Sequence, residues 1–227
     1  MPRVLMVVVA ALLLAAWAPV PKSYRFDAAS PDGLFIVELG PALPIYRDRT
    51  GVSVDLLRFD PATNDITANA LKGWASVNEV KLVYQGRAYI VGRAKPGRYV
   101  LRSLELQKRW TACFNTATVQ LDIKPGTVVF LGRINPNQPL LEIATKAPRS
   151  TRGFEFVMDT PRLDLMRPAE LGDWQTPVAQ FLAANHAGVT APVEAAHVQP
   201  AVFRTGVGFR GEKICSSFQA DKRAKAP

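Results

Sequence analysis

The amino-acid sequence predicts a mainly β fold, an antiparallel β-sandwich with one short α-helix in its C-terminal half; a small β-barrel is the alternative. Two Lys-Pro-Gly segments, at 95–97 and 124–126, favour this fold, because each forms a tight turn and is followed at once by an apolar, β-branched or aromatic run. Several further short apolar runs, separated by turn residues, occupy most of the chain and point the same way.

The strands before the first Lys-Pro-Gly segment are predicted from flanking turns and from alternation. Turn residues bracket the apolar run at 34–39, and apolar side chains alternate with others over 52–57. The polar stretch 60–79 is expected to be a long irregular connection. A strand at 80–84 then leads through a glycine-containing turn into 88–91, which predicts a hairpin.

The two Lys-Pro-Gly turns are predicted to start the strands 98–106 and 127–134. Between them, 118–123 alternates between apolar and polar residues, as a strand with one solvent-facing side does. The runs 99–101 and 128–131 are apolar on both faces, which places them in central strands covered by the helix or by loops. Further strands are predicted at 140–144, 154–158, 201–203 and 207–209.

The periodicity changes to helical near residue 176. Thr176 is expected to cap the helix, with Pro177 at the first helical position. Gly188 can end it. The residues Val178, Phe181 and Leu182 recur at helical spacing and would form a small apolar stripe against a sheet.

The N-terminus predicts export. Residues 1–18 carry one charge, Arg3, followed by an uncharged apolar run, and they are interpreted as a signal peptide. Pro19 is unfavourable directly after the Ala-x-Ala cleavage site, so a retained membrane anchor is the alternative. A single β-sandwich domain is expected over 23–218, with a disordered basic tail at 219–227. The expected location is periplasmic or secreted.

The two cysteines, Cys113 and Cys215, are predicted to form a disulfide, because exported cysteines usually cross-link in an oxidising compartment. The net charge of +9 is spread along the chain and is interpreted as a solvated surface. Association with anionic envelope polymers or lipid is the alternative that this charge leaves open.

No catalytic, cofactor-binding or metal-binding residues are predicted. His186 and His197 are the only histidines, and neither has a cysteine or carboxylate at zinc-like spacing. The chain has no G-x-S-x-G elbow, no Walker loop and no complete dinucleotide fingerprint. A triad assembled in space remains open. Four carboxylates could serve hydrolysis or calcium, although their interleaved arginines suit exposed loops better: Asp159, Asp164, Glu170 and Asp173.

Three tryptophans are the candidate binding residues. Trp74 lies in the polar connection, Trp110 just before the first cysteine, and Trp174 at the start of the helical region. Exposed indoles on a sandwich could stack on sugar rings or anchor a protein. Packing into the core or covering of the sheet ends is the interpretation favoured for all three.

Residues 95–133 resemble a pattern in uncharacterised exported bacterial proteins. The pattern is a strand-opening Pro-Gly-x-Tyr, a cysteine, a threonine-rich strand, and a second Pro-Gly turn with an apolar strand ending in glycine; it matches 96–99, Cys113 and 125–132. Such domains are similar to the carboxypeptidase-regulatory or transthyretin-like β-sandwich. The resemblance implies that fold and an envelope location, and it supplies no active-site residues.

The leading hypothesis is an exported, non-catalytic β-sandwich with a binding or structural role in the cell envelope. Its partner would be an envelope protein or a glycan. No nucleic acid is expected, and membrane association is expected only if the N-terminal segment is retained. A hydrolase with a spatially assembled site and a carbohydrate-binding module are the two alternatives.

Overall fold

The computed structural model describes residues 20–40, 52–66, 74–77, 82–84, 87–106, 110–139, 141, 156–159, 163–203 and 215, without the side chains at 74–77, 82–84, 106, 110 and 156–159. Three predicted features lie outside these residues: the signal segment, the basic tail and the strand at 207–209. Of the strand predicted at 140–144, only Leu141 is described.

Six strands form the first sheet. They are β1 (Gly33–Leu39), β5 (Leu82–Tyr84), β6 (Arg87–Ala94), β10 (Val128–Ile134), β12 (Leu165–Met166) and β13 (Val193–Ala195). The order across the sheet is β5-β6-β1-β10, and both β12 and β13 pair with the outer edge of β10 at different points along it.

Eight strands form the second sheet. They are β2 (Val52–Asp60), β3 (Asp65–Ile66), β4 (Trp74–Val77), β7 (Gly97–Leu106), β8 (Trp110–Cys113), β9 (Thr118–Ile123), β11 (Phe156–Asp159) and β14 (Gln199–Ala201). The long strand β7 is central. It pairs with β2 on one side, and on the other with β9 along its first half and β8 along its second. Next to these, β14 flanks β9 and β11 flanks β8.

The predicted mainly β fold with a helix in the C-terminal half is confirmed, but the sheets are mixed rather than purely antiparallel. The pairs β1–β10, β10–β13 and β8–β11 are parallel. Parallel neighbours need a long crossover connection, and each of these pairs joins segments far apart in the chain. The stretch 60–79 is also less irregular than predicted, because β3 and β4 lie within it and both pair with β2.

Three apolar clusters build the core. The largest fills the space between the sheets, with residues such as Phe35 and Ile90 from the first sheet against Tyr99 and Leu101 from the second. A second cluster lies between the outer face of the first sheet and the helix α1 (Gln175–Asn185). A third covers part of the outer face of the second sheet and includes both cysteines. Strand β10 is apolar on both faces, because one face packs into the core between the sheets and the helix α1 covers the other.

Each Lys-Pro-Gly turn starts an interior strand, as the sequence predicts, and the two strands, β7 and β10, belong to different sheets. In the second turn, Gly126 has φ of +62°, and its N–H donates to the carbonyl oxygen of Asp32 at 2.9 Å. A Cβ at this position would collide with the carbonyl oxygen of Ala28. In the first turn, Tyr99 Oη donates to the carbonyl oxygen of Lys95 at 2.7 Å. The turns are therefore tied to neighbouring backbone rather than free.

The predicted helix is present, with a different cap. It begins at Gln175, and the carboxylate of Asp173 accepts the N–H of Thr176 at 3.1 Å, so Thr176 lies inside the helix. It ends at Asn185, before the predicted stop at Gly188. The predicted apolar stripe, Val178, Phe181 and Leu182, is buried.

Candidate functional site

A groove of about 790 Å³ opens at the sandwich edge formed by β9 and β14. Residues 116–120, Val198 and 200–202 line one side, and Leu163, Leu165, Arg167 and Glu170 line the other. The end of β2 contributes Phe59, and the turn that follows contributes Pro61 and Asn64. These pieces are distant in sequence and meet only in the folded chain.

The wall at 163–167 is held by both sheets. The N–H of Leu163 donates to the carbonyl oxygen of Ala117 at 3.3 Å, and the carbonyl oxygen of Asp164 accepts the N–H of Asn135 at 3.0 Å. Gly132 lets this wall lie directly on β10: its φ is +116°, and a Cβ there would meet the carbonyl oxygen of Met166. The groove wall is thus part of the framework.

The opposite side is the edge strand β14. The chain crosses from β13 to β14 at this edge, and Ala196 and Val198 pack into the core between the sheets on the way. Pro200 lies in β14 opposite Val119, and a proline cannot donate a ladder hydrogen bond. Beyond the strand, the N–H of Phe203 donates to the carbonyl oxygen of Asn115 at 3.1 Å. The edge is therefore anchored at both ends.

One exposed apolar side chain lines this groove. Among the described residues, three large hydrophobic side chains are exposed: Leu141 at 48%, Met166 at 41% and Val202 at 56%. Val202 lines the groove, whereas Met166 and Leu141 are not lining residues. A concave, partly apolar lining is typical of a ligand-binding site.

Arg167 and Glu170, both in the groove lining, form an ion pair with each other. Arg167 Nη2 and Nε donate to Glu170 Oε1 at 2.8 and 3.1 Å, and the backbone N–H of Arg167 donates to Glu170 Oε2 at 2.7 Å. These hydrogen bonds lower the pKa of Glu170, so it stays ionised. By contrast, Gln120 Oε1 is buried without a hydrogen-bond partner among the described residues.

The structure rules out Trp174 as an exposed binding residue. It was a candidate binding aromatic, but it is only 7% exposed and stacks on Phe130, with ring centroids 5.0 Å apart. The indole belongs to the core between α1 and the first sheet. Trp174 precedes the helix directly and packs in the same apolar cluster as the helix stripe, and it is therefore buried.

The other two candidate tryptophans are described only by their backbone. Trp74 pairs with Leu57 in β2, and Trp110 pairs with Leu106 in β7. Both remain binding candidates by sequence alone.

The histidines are not brought into one site. His186 ends the helix, is 2% exposed and makes an edge-on contact with Phe181. Burial is the main cause that lowers the pKa of His186, so the ring is neutral at neutral pH. His197 is exposed between β13 and β14. Neither contacts a carboxylate among the described residues.

The candidate loop carboxylates serve local structure. Asp173 caps the helix, Glu170 pairs with Arg167, and Asp164 Oδ2 accepts the side-chain amide of Asn135 at 2.9 Å. The backbone of Asp159 pairs with Cys113, and its side chain is not described. Within the described residues, no group of three or more potential metal ligands occurs.

A buried polar cluster on the second sheet was missed by sequence reasoning. Asp55 is 1% exposed and accepts from Arg102 Nη1 and from Ser103 Oγ, both at 3.2 Å. Arg102 Nε also donates to Cys215 Sγ at 3.1 Å. A bulge in β7 between Leu101 and Ser103 allows the adjacent side chains of Arg102 and Ser103 both to reach Asp55. Polar residues alternating along both β2 and β7 were the available signal.

Glu105 extends this cluster. It pairs across the sheet with Ser53, whose Oγ donates to Glu105 Oε2 at 3.4 Å. Burial, and then the neighbouring Asp55 carboxylate, raise the pKa of Glu105 to about 8. Glu105 therefore holds a proton near neutral pH. A carboxyl group in this state could do acid–base chemistry if a substrate reached it.

The predicted disulfide is present. Cys113 and Cys215 are bonded with their Cα atoms 5.6 Å apart, and both are buried beside Arg102. The link fastens Cys215 to the outer face of the second sheet.

Comparisons with known proteins return no match. No family model matches the chain, and no significant match is found among curated proteins or among solved structures. In the part of the chain that the structure describes, no helix is both long and apolar enough to cross a membrane.

Proposed function

We propose that this chain is an exported, non-catalytic β-sandwich protein of the cell envelope that binds a partner through the groove beside β14. The observation that carries the proposal is the groove itself, a concave, partly apolar site in whose lining Val202 is exposed. Concave sites of this kind are where ligands most often bind.

The state of the titratable groups supports binding rather than catalysis. Glu170 and Arg167 in the groove neutralise each other, and Asp55 is enclosed by Arg102 and Ser103. A catalytic site needs a nucleophile or base within hydrogen-bond reach of a substrate. Among the described lining residues, the one acid–base group is Glu170, and it is held in an ion pair with Arg167.

Export is supported by the N-terminal sequence and by the disulfide. Structural disulfides persist in oxidising compartments and are rare in the cytosol. The resemblance of residues 95–133 to exported β-sandwich domains points to the same compartment. Whether the N-terminal segment is cleaved or retained decides between a free protein and a membrane-tethered one.

Site-directed photocrosslinking in cells that express the full chain tests this proposal. A benzoyl-phenylalanine at Val202 should crosslink one envelope component. The same group at Ala183, exposed on the helix α1, should not. Crosslinks of equal yield from both positions, or none from Val202 and Met166, would remove the groove as a binding site.

A hydrolase is the second candidate, because Glu105 carries a strongly raised pKa beside Asp55. The hydrolase hypothesis predicts that the purified protein turns over envelope peptides or glycans. Glu105→Gln should abolish this activity and leave the fold intact. A carbohydrate-binding module is less well supported, because Trp174 is buried.

A further inference from the structure

The groove beside β14 lacks the features that other ligand classes require. Sugar-binding surfaces use exposed aromatic rings as stacking platforms. Phe59 is the one aromatic residue in the described lining, and it is only 7% exposed. A glycan would therefore find no platform among the described lining residues.

An anionic ligand is also poorly matched. Among the described residues, Arg167 is the one cation that lines the groove, and its guanidinium already makes two hydrogen bonds to Glu170. To pair fully with Arg167, an anionic headgroup would have to displace the Glu170 carboxylate. That carboxylate is charged and accepts two hydrogen bonds from the guanidinium. This argues against phosphate or acidic lipid.

The described lining instead offers apolar walls. Leu163, Leu165 and Val198 are partly buried at the edge of the core between the sheets and line the groove. Val202, also in the lining, is 56% exposed. Apolar side chains of a ligand can bury surface against these walls.

Apart from the Arg167–Glu170 pair, acidic side chains are exposed next to the groove among the described residues. Asp60 and Asp65 flank the lining turn at 61–64, and Asp164 lies between two lining leucines; all three are exposed. Their field acts over roughly 10 Å at moderate ionic strength. The neighbouring Arg58 is held elsewhere, since Arg58 Nη2 donates to the carbonyl oxygen of Pro96 at 2.6 Å.

We infer that the occupant of the groove is a segment of a partner polypeptide that combines apolar side chains with lysine or arginine. Apolar side chains pack beside Val202 and Leu165, and cationic side chains lie near Asp60 and Asp65. Recognition is through side chains rather than an added strand, because Pro200 removes a donor from the edge. The inference rests on the proposed function and specifies its ligand.

A peptide selection on the whole disulfide-bonded protein tests the inference. A phage-displayed library of random nine-residue peptides is panned on the wild-type chain at 0.15 M salt. The recovered peptides should be enriched in apolar residues together with Lys or Arg. The protein carries a net charge of +9, so non-specific attraction would enrich acidic peptides instead. Acidic peptides, or no enrichment, would overturn the inference.

Matched variants then locate the binding. Val202→Ser should weaken the selected peptide at least five-fold in a fluorescence polarisation titration. Leu141→Ser, which removes an equally exposed apolar side chain outside the groove lining, should change affinity less than two-fold. Asp65→Asn should weaken it about two- to five-fold, against no change for Asp27→Asn. Equal effects of Val202→Ser and Leu141→Ser would contradict the assignment.

The proposed binding site and its proposed peptide ligand are refuted by different results. A glycan or a lipid crosslinked at Val202 would refute the peptide ligand and leave the groove as a binding site. Concentration-dependent dimerisation that Val202→Ser abolishes would instead assign the groove to a second copy and refute the inference. A groove that captures nothing in cells refutes the proposed function itself.

Discussion

Glu105 links the charge state of the protein to its stability. The folded chain raises the pKa of Glu105 from 4.5 to about 8, mainly through burial. Between these values the unfolded chain has lost this proton while the folded chain keeps it, so folding takes up a proton and stability falls as pH rises. The slope is up to about 1.4 kcal/mol per pH unit.

Glu105→Gln should therefore remove most of this slope. We expect urea unfolding of the variant to show no loss of stability between pH 6.5 and 8, above the range in which the buried His186 contributes, while the wild type loses stability over that range. Glu170→Gln is the control, since Glu170 is ionised and exposed; that variant should keep the wild-type slope. Parallel pH curves for wild type and Glu105→Gln would show that Glu105 is ionised in the fold.

Arg102 neutralises Asp55 in the interior. Its removal in Arg102→Met leaves a carboxylate that is 1% exposed without its cation, which should cost about 3–5 kcal/mol in urea unfolding at pH 7. The double variant Asp55→Asn, Arg102→Met should cost less than the sum of the two single changes, because it leaves no buried charge. Strict additivity would mean that the ion pair does not couple the two residues.

At the scale of elements, the second Lys-Pro-Gly turn can be tested with a matched glycine. Gly126 and Gly172 both have φ of +62°, but a Cβ at Gly172 meets nothing within 4 Å, whereas one at Gly126 meets Ala28. Gly172→Ala should cost about 1 kcal/mol, from backbone conformation alone. Gly126→Ala should cost at least about twice that. Equal thermal shifts for the two variants would show that the turn has room to move.

Strand positions were largely predictable from the sequence, and strand partners were not. The turn chemistry at Gly97 and Gly126 predicts where β7 and β10 begin, and alternation predicts β9. Alternation does not encode direction, so the parallel pairing of β1 with β10 was missed. The cap of α1 was misplaced because Asp173 and Thr176 are both good capping residues and only packing chooses between them.

The candidate site was beyond sequence reasoning for a related reason. The groove joins the turn at 61–64, the start of β9, the wall at 163–167 and the edge strand β14. No local pattern connects them, and the crossing from β13 to β14 that brings them together is a property of the whole topology. Trp174 was one of three candidate binding aromatics for which core packing was the favoured interpretation, and the apolar cluster between α1 and the first sheet buries it.

At the scale of the whole molecule, the disulfide fastens the chain near its end to the second sheet. Cys113 and Cys215 are 102 residues apart, and closing such a loop stabilises the fold by about 4–5 kcal/mol in chain-entropy terms. The variant Cys113→Ser, Cys215→Ser should lose about this much in urea unfolding. Thiol titration of the folded exported protein should find no reactive thiol, and two would refute the link.

The central claim is that the edge beside β14 is where this protein binds. Hydrogen–deuterium exchange of the whole chain, alone and with a peptide recovered by panning, maps that site without any substitution. We predict slower exchange at 117–120, 163–167 and 199–202, and unchanged exchange along the helix α1. Protection confined to α1, or protection nowhere, would contradict the account.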